Sequence, residues 1–273
     1  MDHAFPCACH HLSGGLTGGI ARIADGITEV RRAVRDEIRL GVDQIKVFAS
    51  GGVGSDADPI HFLQYSMDEL GAIVEEAEMG DSYVMAHAYT ADAIYRAVDA
   101  GIRTIEHGNF LDARAADLMA ERGAYLVPTL VAYEATMKHG REQGYPERNM
   151  KKNEYVLSVG TKSLEVARAA GVKTAFGTDL IGELDIYQSE EFEIRSRVLS
   201  NAEVIRSATL MGAEVVRRVG ELGVIAPGAF ADALVLDTDP LDDIGVLVSA
   251  GKDIRAIIKD GKICKDELGL GLN

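Results

Sequence analysis

Short apolar runs alternate with amphipathic stretches along most of this chain, and this alternation limits the folds that it can adopt. Five runs predict buried β-strands, at 44–48, 82–87, 102–107, 124–127 and 172–176. Apolar residues at helical spacing predict helices at 27–40, from Ser66 onward, at 90–100, at 112–122, up to Ala170, at 188–199 and at 201–218. The polar stretch 138–152 predicts a loop or lid. Strands that alternate with helices are typical of a parallel sheet covered on both faces, which is either an open doubly wound sheet or a closed barrel.

The pattern changes after Gly223. Residues 233–236 and 254–258, with a turn at 259–262, predict short antiparallel strands. We therefore predict three parts, an α/β part at 1–221, a small β module at 222–265 and a tail at 266–273.

The net charge restricts the classes of partner. The chain of 273 residues carries 43 acidic and 28 basic side chains, which gives a formal net charge of −15. Such a surface repels the phosphates of nucleic acids and of anionic lipids, so we expect neither a nucleic-acid nor a membrane partner. No apolar run in the sequence approaches the roughly 20 residues that span a bilayer. Three cysteines form a poor disulfide framework, and the sequence does not start with a basic and then an apolar stretch, so we predict a cytoplasmic location.

Four polar residues occupy equivalent places in this apolar framework. Lys46 lies late in its predicted strand, and His87, His107 and Asp179 lie at the ends of theirs. Each has an ordinary explanation by itself, because a lysine can snorkel to solvent, a strand-end histidine commonly makes core hydrogen bonds, and an aspartate after Gly-Thr commonly caps a helix. In an α/β barrel, however, the carboxyl ends of the strands converge on one mouth. Imidazole nitrogens and carboxylate oxygens suit zinc or a similar divalent ion, so the four residues together indicate a metal site.

Longer motifs surround these residues. They are IKVFASGGV at 45–53, MAHAYT at 85–90, IEHGN at 105–109, YLVPTL at 125–130, FGTD at 176–179, PGAFADALVL at 227–236 and DPL at 239–241. In this order the motifs resemble the amidohydrolase superfamily over residues 20–265. Within the superfamily they are most similar to the branch of Xaa-Pro and N-acyl amino-acid hydrolases, which is related to imidazolonepropionase.

The resemblance implies a (β/α)8 TIM-type barrel with a centre of one or two divalent metal ions, with zinc as the expected metal. Lys46 matches the lysine that takes up carbon dioxide, becomes a carbamate and bridges the metals. His87 and His107 match imidazole ligands. Asp179 matches the catalytic aspartate, which binds metal and moves a proton during attack by a metal-activated hydroxide.

The resemblance also implies a substrate site and a reaction. Tyr89 matches a group that binds the carboxylate of a small-molecule substrate, and Ser50, Gly51 and Gly52 begin a loop through residue 59 that is expected to cover the substrate. The implied reaction is hydrolysis of an amide bond, peptide-like or in an N-acyl amino acid, or of an ester. An alternative stays open, namely a non-enzymatic or inactive amidohydrolase fragment that assembles through exposed sheet edges.

The five predicted strands resemble strands 4 to 8 of the barrel, and the first three strands and the His-x-His motif of the superfamily have no counterpart in the sequence. We therefore predict an incomplete (β/α)8 barrel that resembles the C-terminal two-thirds of an amidohydrolase. Such a barrel is expected to join a homo-oligomer or a complementing N-terminal segment, because five strands leave sheet edges open. The early residues His3, Cys7, Cys9, His10 and His11 lack a regular zinc-binding spacing and are interpreted as part of a linker.

Overall fold

In the computed structural model, residues 21–55, 58–249, 251–269 and 271 are described, and they form ten α-helices and eight β-strands. The helices are α1 (Gly26–Arg39), α2 (Met67–Met79), α3 (Ala91–Asp99), α4 (Ala113–Arg122), α5 (Leu130–His139), α6 (Glu147–Leu157), α7 (Gly160–Ala170), α8 (Glu190–Ser196), α9 (Asn201–Ala208) and α10 (Leu210–Val215). The strands are β1 (Ile45–Phe48), β2 (Val84–Thr90), β3 (Thr104–Phe110), β4 (Tyr125–Val127), β5 (Lys173–Thr174), β6 (Ala233–Leu236), β7 (Ile254–Lys259) and β8 (Lys262–Asp266). Short 3-10 helices lie at Gly182–Tyr187 and Ile244–Leu247. The cluster of His3, Cys7, Cys9, His10 and His11 lies outside the described residues.

The first five strands form one sheet in chain order, β1-β2-β3-β4-β5, and the pairs from β1 to β4 are parallel. In this register Phe48 lies opposite His87, and Ala88 lies opposite His107. Within the described residues β1 has β2 as its strand neighbour, so β1 lies at an edge. This arrangement confirms the predicted α/β fold with a parallel sheet.

Small side chains line the contact between the sheet and its helices. Fully or almost fully buried alanines occur on β2, α3 and α4, at Ala86, Ala88, Ala93, Ala97, Ala115 and Ala116. They let helices pack close to the strands, while Ile105 and Leu126 fill the remaining space between them. Helix α3 therefore packs closely against β2 and β3.

Several helix ends follow directly from the local sequence. The Ser66 hydroxyl accepts the backbone N–H of Glu69, and the Glu69 carboxylate accepts the N–H of Ser66, which forms the predicted capping box of α2. Asp112 caps α4 by accepting the N–H of Ala115. Gly123 ends α4 with a φ of +65°, a conformation that favours glycine.

Several elements differ from the prediction. Strands β2 and β3 continue past His87 and His107 to Thr90 and Phe110, so neither histidine ends its strand. The loop predicted at 138–152 is wrong at both ends, because helix α5, which was not predicted, ends at His139 and α6 begins at Glu147. Strand β5 is shorter than predicted, since the Phe176 N–H donates to the carbonyl of Ser207 instead of continuing the sheet.

The described residues divide into two compact units. The first comprises the described residues up to Pro128 together with Tyr133–Lys173, and the second comprises Thr129–Ala132 and the described residues from Thr174 onward. In the second unit β6, β7 and β8 form an antiparallel sheet around buried Ala256, which confirms the small C-terminal β module. The predicted domain boundaries, 1–221, 222–265 and 266–273, stay predictions. None of the helices in the described ranges is long and apolar enough to cross a bilayer.

Candidate functional site

Two buried histidines on neighbouring strands lie side by side in the first unit. The ring centroids of His87 and His107 are 4.6 Å apart, with an angle of 68° between the ring planes. Regular alternation along β3 would put Glu106 and His107 on opposite faces of the sheet. His107, however, has a φ of +76°, in the left-handed region, and this breaks the alternation. Both Glu106 and His107 are consequently buried, and the His107 ring lies against His87.

Two tyrosines extend this pair into an aromatic cluster. The Tyr89 ring stacks on His107 at 5.2 Å between centroids and meets His87 edge-on at 4.7 Å. The Tyr133 hydroxyl donates to the Tyr89 hydroxyl at 3.1 Å, so two phenol groups lie together beside the histidines. The backbone N–H of Tyr89 donates to Ser50 Oγ at 3.0 Å, which brings a second predicted substrate residue to the cluster.

Glu106, which was not among the predicted site residues, is the counter-ion of Lys46. The Lys46 Nζ lies 3.5 Å from Glu106 Oε2, and the Thr104 hydroxyl donates to Glu106 Oε1 at 2.7 Å. The Lys46 side chain is 37% exposed, so this lysine is partly solvated and partly paired. Burial raises the pKa of the Glu106 carboxyl, and the Lys46 charge opposes that rise.

The electrostatics favour uncharged imidazole at His107. Burial, followed by the nearby His87 ring and the Lys46 charge, holds the pKa of His107 well below its ordinary value. The Lys46 ammonium is therefore close enough to act on His107 electrostatically. At neutral pH the His107 ring is neutral, which is the form that binds a metal ion.

A loop that we call the glycine segment, Ser50–Ser55, runs along the edge of the His87 ring. The carbonyl oxygen of Gly51 lies 3.1 Å from His87 Nε2, and a Cβ placed on Gly52 would be 3.7 Å from the ring. A Cβ on Gly51 would overlap the carbonyl of Pro59, so this position requires glycine. Since a carbonyl oxygen can only accept, His87 Nε2 must carry the hydrogen, and in the neutral ring Nδ1 carries the lone pair.

Asp179 belongs to the second unit, and its backbone has a φ of +50°. The segment before it is held by Arg195, whose Nη1 donates to the carbonyl of Ala175 at 2.8 Å. The structure thus brings together Lys46, His87, His107, Tyr89, Ser50, Gly51 and Gly52 within one unit. The prediction that Asp179 belongs to the same site stays a prediction.

The chemistry of the first unit fits a divalent cation. The neutral imidazole of His107 lies against the His87 ring, and the buried Glu106 Oε2 lies 3.5 Å from the Lys46 ammonium. Nitrogen donors of this kind suit zinc. Within the described residues, however, no three side chains of His, Cys, Asp or Glu form a complete ligand set. Binding would therefore require a further ligand, and the carbamate of Lys46 that the resemblance implies stays a prediction.

Three residues near the histidines escaped the sequence prediction, namely Glu106, Tyr133 and Lys152. Glu106 directly precedes a predicted ligand, and strand alternation would place it on the opposite face from His107, so no signal in the sequence pointed to it. Tyr133 lies three residues after the end of the motif at 125–130, and nothing in its surroundings distinguishes it from a core tyrosine. Lys152 lies in the stretch that was predicted as loop, where a lysine is unremarkable.

The comparisons with known proteins identify the family and support the fold. The model of the amidohydrolase family matches residues 5–264. The chain belongs to the amidohydrolase family, which confirms the resemblance. Enzymes of this family generally use divalent metals.

Individual relatives include enzymes that act on different substrates. The chain is 35% identical to the ochratoxinase of Aspergillus niger over 244 residues. The aligned region covers 89% of this chain and 50% of that protein. A crystal structure of a prolidase complexed with N-methylphosphonate-L-proline has a TM-score of 0.90 and 52% identity, over 96% of this chain and 64% of that one. A Xaa-Pro dipeptidase crystallised with methionine in its active site has a TM-score of 0.82 and 32% identity, over 94% and 64%. The chain thus spans about half the length of the curated ochratoxinases it matches.

Proposed function

We propose that this chain forms the metal-binding and substrate-binding part of a divalent-metal-dependent hydrolase. Its substrate is a small molecule in which an amide bond, peptide-like or N-acyl, joins an amino acid that has a free carboxylate. The observation that carries the proposal is the buried contact of His87 with His107 beside Lys46 and two tyrosine hydroxyls. The similarity to a prolidase, a Xaa-Pro dipeptidase and an ochratoxinase supports the choice of an amide bond.

In this proposal His87, His107 and the carbamate of Lys46 hold zinc. The carbamate forms when the neutral amine of Lys46 bonds to the carbon of carbon dioxide and loses a proton to solvent. The new group would replace the pair between Lys46 and Glu106, and its oxygens would supply the ligand that two imidazoles lack. Bound zinc would polarise the scissile carbonyl and lower the pKa of water, as it does in other hydrolases.

The other residues orient the substrate and move protons. The hydroxyls of Tyr89 and Tyr133, 3.1 Å apart, supply donors for the substrate carboxylate next to the histidines. The Asp179 carboxylate accepts a proton from the attacking water and passes it to the leaving nitrogen. The glycine segment holds the His87 ring in place and covers one side of it.

Zinc binding and hydrolysis test the proposal together. The full chain is stripped of metal, supplied with zinc and bicarbonate, and examined by isothermal titration and by assays with Xaa-Pro dipeptides and N-acyl amino acids. We expect about one zinc per chain and hydrolysis that Asp179→Asn abolishes without loss of zinc. His107→Gln should lose zinc, whereas His61→Gln, at an exposed histidine, should keep it. Unchanged zinc binding in His107→Gln would overturn the proposed site.

Assembly is a second proposal, which the position of β1 favours. In the described residues β1 lies at an edge of the parallel sheet, and its backbone can pair with a further strand. We propose that a second copy or an N-terminal segment on another chain adds to this edge, with or without catalysis. Size-exclusion chromatography with light scattering tests it, and a stable monomer at micromolar concentration would contradict self-assembly. A cytoplasmic location stays a prediction.

A further inference from the structure

One lysine of α6 binds several backbone carbonyls of the loop that covers His87. The Lys152 Nζ donates to the carbonyl oxygens of Gly52 at 3.1 Å, Ser55 at 2.7 Å and Asp58 at 2.9 Å. An ammonium group has three N–H donors, and the three carbonyls match that number. Hydrogen bonds from a charged donor are stronger than those between neutral groups. Lys152 therefore fixes the path of this loop more firmly than an apolar contact could.

A second residue of α6 supports the same contact. Asn149, three positions before Lys152 and on the same side of the helix, donates from Nδ2 to the carbonyl of Val53 at 3.0 Å. Asn149 is fully buried. Because α6 places both donors on one face, the helix binds the glycine segment at Gly52, Val53 and Ser55 and the chain beyond it at Asp58.

The other end of the glycine segment contacts the histidine. Gly51 accepts the hydrogen of His87 Nε2, and the neighbouring Gly52 is bound by Lys152. A shift of Gly52 would therefore move the Gly51 carbonyl away from Nε2. With that acceptor lost, the proton could reside on either ring nitrogen, and Nδ1 would carry the lone pair for only part of the time.

We propose that Lys152 is a positioning residue that acts on His87 through the glycine segment. Its ammonium holds Gly52, which keeps the Gly51 carbonyl on Nε2 and presents Nδ1 as the nitrogen for the metal. The inference rests on the proposed function in one respect, that His87 is a metal ligand. It goes further by assigning a role in metal binding to a lysine on a helix outside the predicted ligand set. If loss of this contact leaves the lone pair on Nδ1 for roughly half of the time, the apparent zinc affinity falls about twofold.

The test compares Lys152→Met with the wild-type full chain without metal. Nitrogen-15 spectra of the imidazole groups, with His87→Gln for assignment, report the tautomer of His87. We expect a single tautomer with the hydrogen on Nε2 in the wild type and a mixture in the variant. Amide exchange at Gly51, whose N–H donates to Phe62, should become faster in the variant. Zinc affinity, measured by titration, should fall about twofold, because Nδ1 then carries the lone pair for roughly half of the time.

Lys151→Met is the matched control, because Lys151 is the preceding residue of the same helix and is exposed. It should leave the tautomer, the Gly51 exchange rate and zinc affinity unchanged. If circular dichroism shows that Lys152→Met does not fold, Lys152→Gln takes its place. Its amide retains two N–H donors, and a smaller change in the same direction is expected.

The outcomes separate this inference from the proposed function. A single Nε2–H tautomer and wild-type Gly51 exchange in Lys152→Met would overturn the role of Lys152, whatever the zinc result. A mixture of tautomers in the wild type would also overturn it. If the wild type binds no zinc, the proposed function fails, and the tautomer and exchange data still decide whether Lys152 positions the His87 ring.

Discussion

A fully buried ion pair in the second unit supports the backbone that leads to Asp179. Arg195 and Glu191 are both 0% exposed, and Arg195 Nε donates to Glu191 Oε1 at 2.6 Å. Arg195 Nη1 also donates to the Ala175 carbonyl, and the other carboxylate oxygen of Glu191 accepts the N–H of Val131 at 2.7 Å. Burial lowers the pKa of Arg195, and Glu191 opposes that change. Each charge is therefore stable in the interior only because the other is present.

Replacing Arg195 by methionine should destabilise the fold by about 3–5 kcal/mol, because it leaves the Glu191 carboxylate buried without its cation. Adding Glu191→Gln removes the uncompensated charge and keeps an acceptor for Val131. The double variant should therefore recover at least about 2 kcal/mol relative to Arg195→Met. The matched control is the pair of Arg218 and Glu221, which has the same 2.6 Å separation but is 43% and 53% exposed. Arg218→Met should cost about 1 kcal/mol or less.

Urea unfolding followed by circular dichroism measures these differences. Amide exchange at Phe176, the residue after Ala175, adds a local measurement, because its N–H donates to the Ser207 carbonyl. Arg195→Met should speed exchange there. A loss below about 1 kcal/mol for Arg195→Met, equal to that for Arg218→Met, would refute the reasoning from burial.

Three other predictions concern the first unit. Tyr133→Phe removes the hydroxyl that is hydrogen-bonded to Tyr89. It should raise KM about fivefold for substrates with a free carboxylate and leave KM unchanged for their methyl esters. Equal effects on both kinds of substrate would contradict a role of Tyr133 in binding the carboxylate. Ser66→Ala breaks the capping box with Glu69 and should lower the free energy of unfolding, measured by urea titration, by about 1 kcal/mol. An unchanged free energy of unfolding would contradict the role of the cap. The third prediction concerns pH. The pKa of His107 is lower in the folded state than in the unfolded chain. As the pH falls through the ordinary histidine pKa, the unfolded chain therefore takes up a proton at His107 and the folded protein does not. The metal-free protein should then lose about 1.4 kcal/mol between pH 7.5 and pH 5.5, and His107→Gln should lack this slope.

The order of strands and helices in the parallel sheet could be predicted because the signals were local. Glycine, proline and capping residues mark the ends of the apolar runs, as Ser66 and Gly123 do for their helices. Such signals depend on the backbone within a few residues, so no tertiary information was needed. The likeness to amidohydrolases added the metal chemistry, since ordered motifs carry information that periodicity lacks.

The start of helix α6 could not be predicted because half of its buried residues are polar. Asn149 and Asn153 point inward beside Met150 and Val156, and both amides donate to backbone carbonyls, at Val53 and Tyr133. A periodicity search counts apolar residues, so a helix whose interior contacts are amide hydrogen bonds looks like a loop. The partners that make burial of these amides favourable are distant in sequence.

Glu106 escaped for a related reason. Alternation along a strand assigns Glu106 and His107 to opposite faces, so the two could not both be placed beside Lys46 and His87. The positive φ at His107 breaks this rule, and no residue type in the sequence announces it, since glycine follows at position 108. Departures of this kind are common where function outweighs local regularity.

The left-handed backbone at His107 and Asp179, with φ of +76° and +50°, has a consequence for how these positions change over generations. A side chain in that region carries roughly 1–3 kcal/mol of strain, which glycine would relieve. At buried His107, however, glycine would also leave a cavity, whereas Asp179 is exposed. Selection for stability alone would therefore favour glycine at Asp179 and not at His107. In relatives that do not depend on the proposed site we expect glycine to appear first at the position of Asp179.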